Sequence, residues 1–394
     1  MSGRCRSWAG LVLWIGVSLW SATQATAEEE QTSTARRLVD APAGFHGPTA
    51  DPDSSLGDTA SITLGVIAPG ERLAGQELLA AVQLIVEAAN ADGGVGGRPI
   101  RIVSRTDDRP WHSAAHEVTR LILEDGAIAI LGGLDGARAH AAELVVAKLW
   151  VPLISPTAAD RSVDVANVPW VFRCAPDEQR QMIALVGVAY ENGWQRLRLV
   201  TDDEREGRLA RRALESAVDG LGIEVDTVPI SDSDANLRSS SAHATILWTQ
   251  RETALGWLAR RPPDVVTQPL LLPLHLVAPD LLAAAGDTPT WTVALPLASG
   301  TVDAVETPGA WFVQAWHERF RRAPSAVAML TADATLLLLS SIQLHGADPA
   351  RLRQALATAH YAGLTGDLRF DALGGRLVKP EAMRLSLPRP LAGD

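Results

Sequence analysis

The pair Asp135-Gly136 lies where an apolar run, Ala127–Leu131, gives way to a helical pattern. Backbone N–H groups at such a helix start offer partial positive charge to an anionic group. A tight strand-to-helix turn that merely needs glycine is an equally good account of the same residues. A second loop, Ser155-Pro156-Thr157-Ala158-Ala159-Asp160, also follows a short apolar run and adds the hydroxyls of Ser155 and Thr157 to its backbone donors. Arg72, in the loop Ala68–Leu73, has the chemistry to pair with a carboxylate or to stay a solvated loop arginine. Such groups hold a solute by hydrogen bonds and charge, without covalent chemistry.

Other constellations carry less. His112 and His116 stand four apart on a predicted helix, a metal-capable spacing, but no third ligand accompanies them. Gly93–Gly97 precedes a strand instead of joining strand to helix, which is the wrong polarity for a dinucleotide loop, and Gly132–Gly136 has the right polarity without the full GxGxxG. No GxxxxGK[ST], HExxH or GxSxG string occurs. No nucleophile with its base, metal cluster or cofactor loop is found, so a non-enzymatic protein without cofactor is expected. Trp257, Trp311 and Trp316 fall on helical faces as packing residues, whereas Trp111 and Trp248, near predicted strand ends, are candidates for ligand stacking.

The elements that must position these loops alternate regularly. Short β-branched or Leu-rich runs begin at Ile62, Ile100, Ala127, Pro152, Arg196, Ile223, Ala244, Leu270 and Trp291. Most are followed by stretches with helical spacing, such as Gln76–Asn90, Ala137–Leu149, Asp177–Asn192 and Glu206–Leu221. Three further helices, Ala310–Phe320, Leu330–Leu344 and Pro349–Thr358, precede two closing strands at Asp367–Phe370 and Met383–Leu387. The pattern predicts an α/β fold of two doubly wound parallel-sheet lobes, with a ligand cleft where strand C-termini and helix N-termini meet.

The chain has 394 residues, 46 acidic against 35 Lys+Arg, a net charge of −11 that disfavours nucleic acid as a partner. Residues 1–27 read as a cleaved signal peptide: Arg4 and Arg6, the 13-residue apolar run Trp8–Trp20, then Ala25-Thr26-Ala27. A bilayer-spanning helix needs about 20 residues, and no second candidate span is read downstream. Residues 28–59, rich in Pro, Gly, Asp, Ser and Thr, read as a flexible leader. Of two cysteines, Cys5 leaves with the signal and Cys174 has no partner for an internal disulfide.

The segment AANADGGVGGRPIRIVSRTDD (Ala88–Asp108) resembles a signature of leucine/isoleucine/valine-binding-protein-like periplasmic receptors, the type I solute-binding proteins of ABC transporters. Four more strings are similar and in family order: Ile130–Gly136, Val151–Asp160, Trp170–Gln181 and Thr365–Arg376. The resemblance spans about residues 60–390. It implies three chain crossings between lobes, near Arg173–Asp177, Ala298–Thr301 and Leu364–Asp367. One lobe would then comprise 60–175 plus 300–365, and the other 176–299 plus 366–394. It further implies export to the periplasm, a monomer, a small-molecule solute trapped by hinge closure, and an ABC permease in the inner membrane as partner.

The resemblance also locates departures. Relatives that bind amino acids usually have a serine where Gly136 stands and a threonine where Ala159 stands; in the second lobe, Thr249-Gln250 and Leu274-His275 replace an aromatic and an amine-pairing carboxylate. Each lost hydrogen bond to a charged group is worth about 1.5–3 kcal/mol. The expected solute is therefore amino-acid-like or an organic acid, and not necessarily a standard amino acid. A sensor or accessory protein reusing the fold is the rival expectation.

Overall fold

The computed structural model describes residues 61–107, 113–231, 242–261, 266–294 and 308–384. The signal and leader segments, Trp111, His112 and the crossing expected at Ala298–Thr301 lie outside the described residues.

Two sheets dominate. The first contains β1 (Ile62–Ala68), β2 (Ile100–Thr106), β3 (Ile130–Gly132), β4 (Leu153–Ser155) and β5 (Val171–Arg173), in spatial order β2-β1-β3-β4-β5. All its pairings are parallel, with Ile62 opposite Ile100 and Leu153 opposite Val171. Every residue of β1 is buried, as expected of a parallel strand covered by helices on both faces. Those helices include α1 (Leu73–Ala91), α2 (Ser113–Leu123) and α3 (Gly136–Leu149); the single turn α4 (Ser162–Val165) joins β4 to β5.

After β5 the chain enters α5 (Glu178–Glu191) and the second sheet: β6 (Arg196–Thr201), α6 (Arg205–Val218), β7 (Glu224–Pro229), β8 (Ala244–Trp248), α7 (Arg251–Arg260), β9 (Leu270–Leu272), α8 (Pro279–Ala285) and β10 (Thr290–Ala294). Then follow α9 (Pro308–Phe320), α10 (Ala326–His345), α11 (Pro349–Ala357), a hairpin of β11 (Tyr361–Gly363) and β12 (Gly366–Leu368), and β13 (Glu381–Arg384). The second sheet runs β13-β10-β9-β8-β6-β7, parallel except for β13, which pairs antiparallel with β10.

The departures from the sequence reading have local causes. Three-residue β5 is too short to show alternation and is a strand only through its pairing with β4. Helix α10 begins four residues before the expected Leu330 because Ser325 caps it, its hydroxyl oxygen accepting from the Ala328 N–H at 3.2 Å. Twenty residues long, with a mean hydropathy of 1.6 over its most apolar 18 residues, α10 is long and apolar enough to cross a membrane, contrary to the reading of no second span, but 83% of that window is buried inside the protein. It packs on α1 as a core helix, apolar on every face.

Asp333, in the middle of α10 and fully buried, accepts from the N–H groups of Leu364 (2.6 Å) and Thr365 (2.8 Å) and from the Thr365 hydroxyl (2.5 Å). Burial nonetheless pushes its carboxyl above the ordinary range. Fully buried Arg376 donates to the carbonyls of Cys174 (3.1 Å), Thr365 (2.8 Å) and Asp367 (3.0 Å). Arg173 donates to the carbonyls of Ala158 and Ala175 and pairs with Asp164. The segments 173–175 and 364–367, two places where a crossing is expected, are thus stitched together by buried guanidinium and carboxylate groups. Cys174 lies among them, buried, its thiol pushed up to about 12 by desolvation.

Asp333→Ala would strand three buried donors and should lower the unfolding free energy by about 3 kcal/mol, read from the urea midpoint. A loss under about 1 kcal/mol would show that this tether is not structural.

Candidate functional site

The C-terminal ends of strands from both sheets face a common cavity of about 70 Å³. The first sheet contributes Pro69, Arg72, Leu134, Asp135, Thr157, Ala159 and Asp160; the second contributes Glu206, Trp248, Gln250, Arg251, Glu252 and His275. Six of the nine residues singled out in the sequence line it: Arg72, Asp135, Thr157, Ala159, Gln250 and His275. Gly136, Ser155 and Thr249 do not.

The reasons are specific. Ser155 is fully buried and donates its hydroxyl to the Gly133 carbonyl at 2.6 Å, so it braces the loop instead of facing a solute. Thr249 donates to Asp202 Oδ2 at 2.6 Å. Thr157 reaches the cavity wall, yet its hydroxyl donates to the Leu134 carbonyl at 2.8 Å. The hydroxyls expected to serve a ligand are thus engaged with the protein. His275 lies near the Thr249 carbonyl, Nε2 at 3.1 Å, and meets Trp248 edge-to-face with ring centroids 5.7 Å apart. Desolvation lowers its pKa, which keeps it neutral at pH 7.

Asp135 caps α3, accepting from the Arg138 N–H at 2.9 Å; its other oxygen pairs with the Arg138 guanidinium and stands 4.0 Å from Arg72. The next residue explains the missing side-chain donor. A Cβ on Gly136 would lie 2.4 Å from the Asp160 Cβ and 2.3 Å from its Oδ2, so Asp160 already fills the space a serine would need.

Asp160 is in turn bound from the opposite sheet. Arg205 donates through Nε to Asp160 Oδ2 at 2.6 Å and through Nη2 to Ser162 Oγ at 2.8 Å. Burial works to raise the Asp160 pKa, but the bonds from Ser162 and Arg205 outweigh it and hold the carboxyl below its ordinary value. One residue further along α6, Glu206 accepts the Gly136 N–H at 2.8 Å. The donor at the α3 start, the natural landing point for a solute carboxylate, is therefore held by a side-chain carboxyl group of the protein. Desolvation, reinforced by Asp135 and Asp160, pushes Glu206 up to about 8. Glu178, also on the wall, is pushed up to about 7, chiefly by burial.

Two more ties cross the cleft. Glu252 accepts the Leu73 N–H at 2.8 Å, capping α1 from the other side. Arg251 pairs with Glu77 at 2.7 Å and with Asp280 at 2.6 Å. None of Arg205, Glu206, Arg251, Glu252 and Glu178 was singled out in the sequence. Their only signal is position: each lies in the first turn of a helix, and all but Glu178 directly follow a strand of the second sheet. Among the described residues no group of three or more His, Cys, Asp or Glu is placed to hold a metal, and His116 is exposed.

Two outcomes follow from this geometry. The unfolded chain releases the Glu206 proton near 4.5, the folded protein near 8, so between them the folded state binds the extra proton and loses stability as pH rises. The melting temperature should fall more steeply from pH 5 to 8 in the wild type than in Glu206→Gln; parallel slopes would contradict the assignment. Gly136→Ala should cost about 1–3 kcal/mol by overpacking against Asp160, measured by urea unfolding.

Comparison with known proteins agrees with this architecture. A family profile described as "Periplasmic binding protein" matches residues 62–385. The branched-chain amino acid transporter substrate binding protein LivJ from Streptococcus pneumoniae, solved with isoleucine, superposes with a TM-score of 0.71 at 19% identity, covering 82% of this chain and 100% of that one. An ABC transporter solute binding protein from Rhodopseudomonas palustris, solved with 3,4-dihydroxybenzoic acid, gives 0.74 at 18% identity, covering 84% and 94%. Over 94 residues, 24% of this chain, the sequence is 30% identical to Glutamate receptor 3.7 of Arabidopsis thaliana, a stretch that is 10% of the receptor's length. The chain belongs to the periplasmic binding protein family and has the type I fold of the leucine and isoleucine receptors.

Proposed function

We propose that this chain is the periplasmic substrate-binding component of an ABC uptake system, taking a small solute into the cavity between two lobes. The observation that carries the reading is that the cavity wall is built from strand ends of both sheets, with direct bonds across it at Gly136, Asp160, Leu73 and Glu77. A site assembled by two bodies is complete only when they close, and closure is the signal a permease reads. The lobes comprise 60–175 plus 300–365 and 176–299 plus 366–394. Two contacts support this division: α9 and α10 pack on α1, and β13 joins the second sheet. The crossings at 173–177 and 364–367 act as hinge segments. The signal reading of residues 1–27 supports export, with the mature protein working as a monomer beside its permease.

The solute is small. A cavity of about 70 Å³ is roughly half of one that admits a benzene ring, so in this arrangement it suits a few heavy atoms. Relatives of the same fold were solved with isoleucine, benzoate and 3,4-dihydroxybenzoic acid, which makes amino acids and organic acids the first classes to screen. The solute is held by hydrogen bonds and charge and leaves unchanged.

The reading is tested by thermal shift of the mature protein against aliphatic amino acids, short carboxylates, amides, amines and aromatic acids. A bound solute at 100 times its dissociation constant should add about 2.7 kcal/mol of stability. Silence across all these classes would sink the proposal.

A further inference from the structure

We propose that Glu206 is the specificity-determining residue of the cleft: its carboxyl group occupies the backbone donor that a solute carboxylate would need, so the site selects a small amine with an apolar body over acids and zwitterions. This assignment rests on the cavity being the solute site.

The first argument is occupancy. The Gly136 N–H, at the start of 14-residue α3, already donates to Glu206 Oε1 at 2.8 Å. The side chain that could add a donor there is excluded by Asp160, and the Thr157 hydroxyl is engaged with a backbone carbonyl. An entering carboxylate would have to displace the Glu206 carboxyl group, held in place by its neighbour, since Arg205 anchors the same turn to Asp160 and Ser162.

The second argument is charge. The wall carries Asp135, Asp160, Glu178, Glu206 and Glu252 against Arg72 and Arg251, with Asp135 also paired to Arg138 and Asp160 to Arg205. Arg251 is committed to Glu77 and Asp280, while Arg72 stands against Asp135. A carboxylate placed here finds both wall arginines already facing protein carboxylates and keeps Glu206 and Glu178 protonated, whereas an ammonium favours their charged forms. The acid expected near His275 to pair with an amine is therefore present, but supplied by α6. Beside Thr157, Gln250 and His275, the wall also has Leu134, Ala159, Leu209, Trp248 and Val327 to enclose a short hydrocarbon body.

The third argument is proton linkage. Glu206 and Glu178 hold protons near neutral pH because they are desolvated. An ammonium arriving beside them favours their charged forms, so binding should release protons. The charged groups facing Glu206 are Asp135 and Asp160 from the opposite lobe and Arg205 from its own turn. Asp160 is kept ionised by Arg205 and Ser162, which leaves Glu206 and Glu178 as the groups that respond.

The test compares probes that share one branched body: isobutylamine, isobutyrate and valine, with benzylamine and benzoate as the larger pair. Calorimetry at pH 7 in two buffers of different ionisation enthalpy should show an amine binding at least tenfold tighter than its matched acid or than valine, with release of about one proton. Glu206→Gln should weaken the amine at least tenfold and abolish most of the proton release. Glu206→Ala, which uncovers the Gly136 N–H, should bind isobutyrate or benzoate at least tenfold better than the wild type. A wild type that prefers the acid or valine overturns the assignment and leaves the solute-binding reading standing. An amine affinity unchanged in Glu206→Gln overturns the role of Glu206, and no binding of amine, acid or amino acid overturns both readings. The wild-type preference of amine over acid needs no variant, so a poorly folding mutant does not remove the test.

Discussion

The cleft depends on one steric fact: residue 136 has no Cβ, and Asp160 uses the space. With that carboxylate seated against the start of α3, Arg205 can reach it from the second sheet, and the turn carrying Arg205 is fixed. Fixing the turn brings Glu206 onto the Gly136 N–H. One missing methyl group thus sets the position of an arginine, a glutamate and a helix N-terminus on two different sheets. Glycine here serves close approach, with no demand for unusual backbone angles.

The two ends of the cleft are held by different kinds of interaction. At the crossings, Arg376, Arg173 and Asp333 are buried and satisfied largely by backbone groups, an arrangement costly to disturb because each broken bond strands a desolvated partner. Across the mouth, Arg205 and Glu206 are only half-buried, although the Arg251–Glu77 pair behind them is buried. In the proposed closure, movement is easiest at the mouth, about crossings that stay intact.

The architecture was largely legible because parallel strands and amphipathic helices write their periods directly into the sequence, as in Ile62–Ala68 and Leu73–Ala91. What escaped was short or defined by partners: Val171–Arg173 is a strand only beside Leu153–Ser155, and Pro279–Ala285 is a helix of two turns. The family resemblance brought Asp135, Thr157, Ala159, Gln250 and His275 to one cavity, yet it placed Ser155 and Thr249 there as well, because chain position does not reveal where a hydroxyl points. The run Asp202-Asp203-Glu204-Arg205-Glu206 looks like a solvated helix start. Only the facing of the two sheets turns its last two residues into cleft residues.

The Gly136–Asp160 packing also constrains how such a cleft can change over generations. A side chain at position 136 becomes acceptable only after Asp160 has shrunk, and shrinking Asp160 first leaves the Arg205 guanidinium without its carboxylate. Either order passes through a less stable intermediate, so the two positions are epistatic. A lineage that has exchanged its ligand-binding hydroxyl for this packing has no single substitution that takes it back.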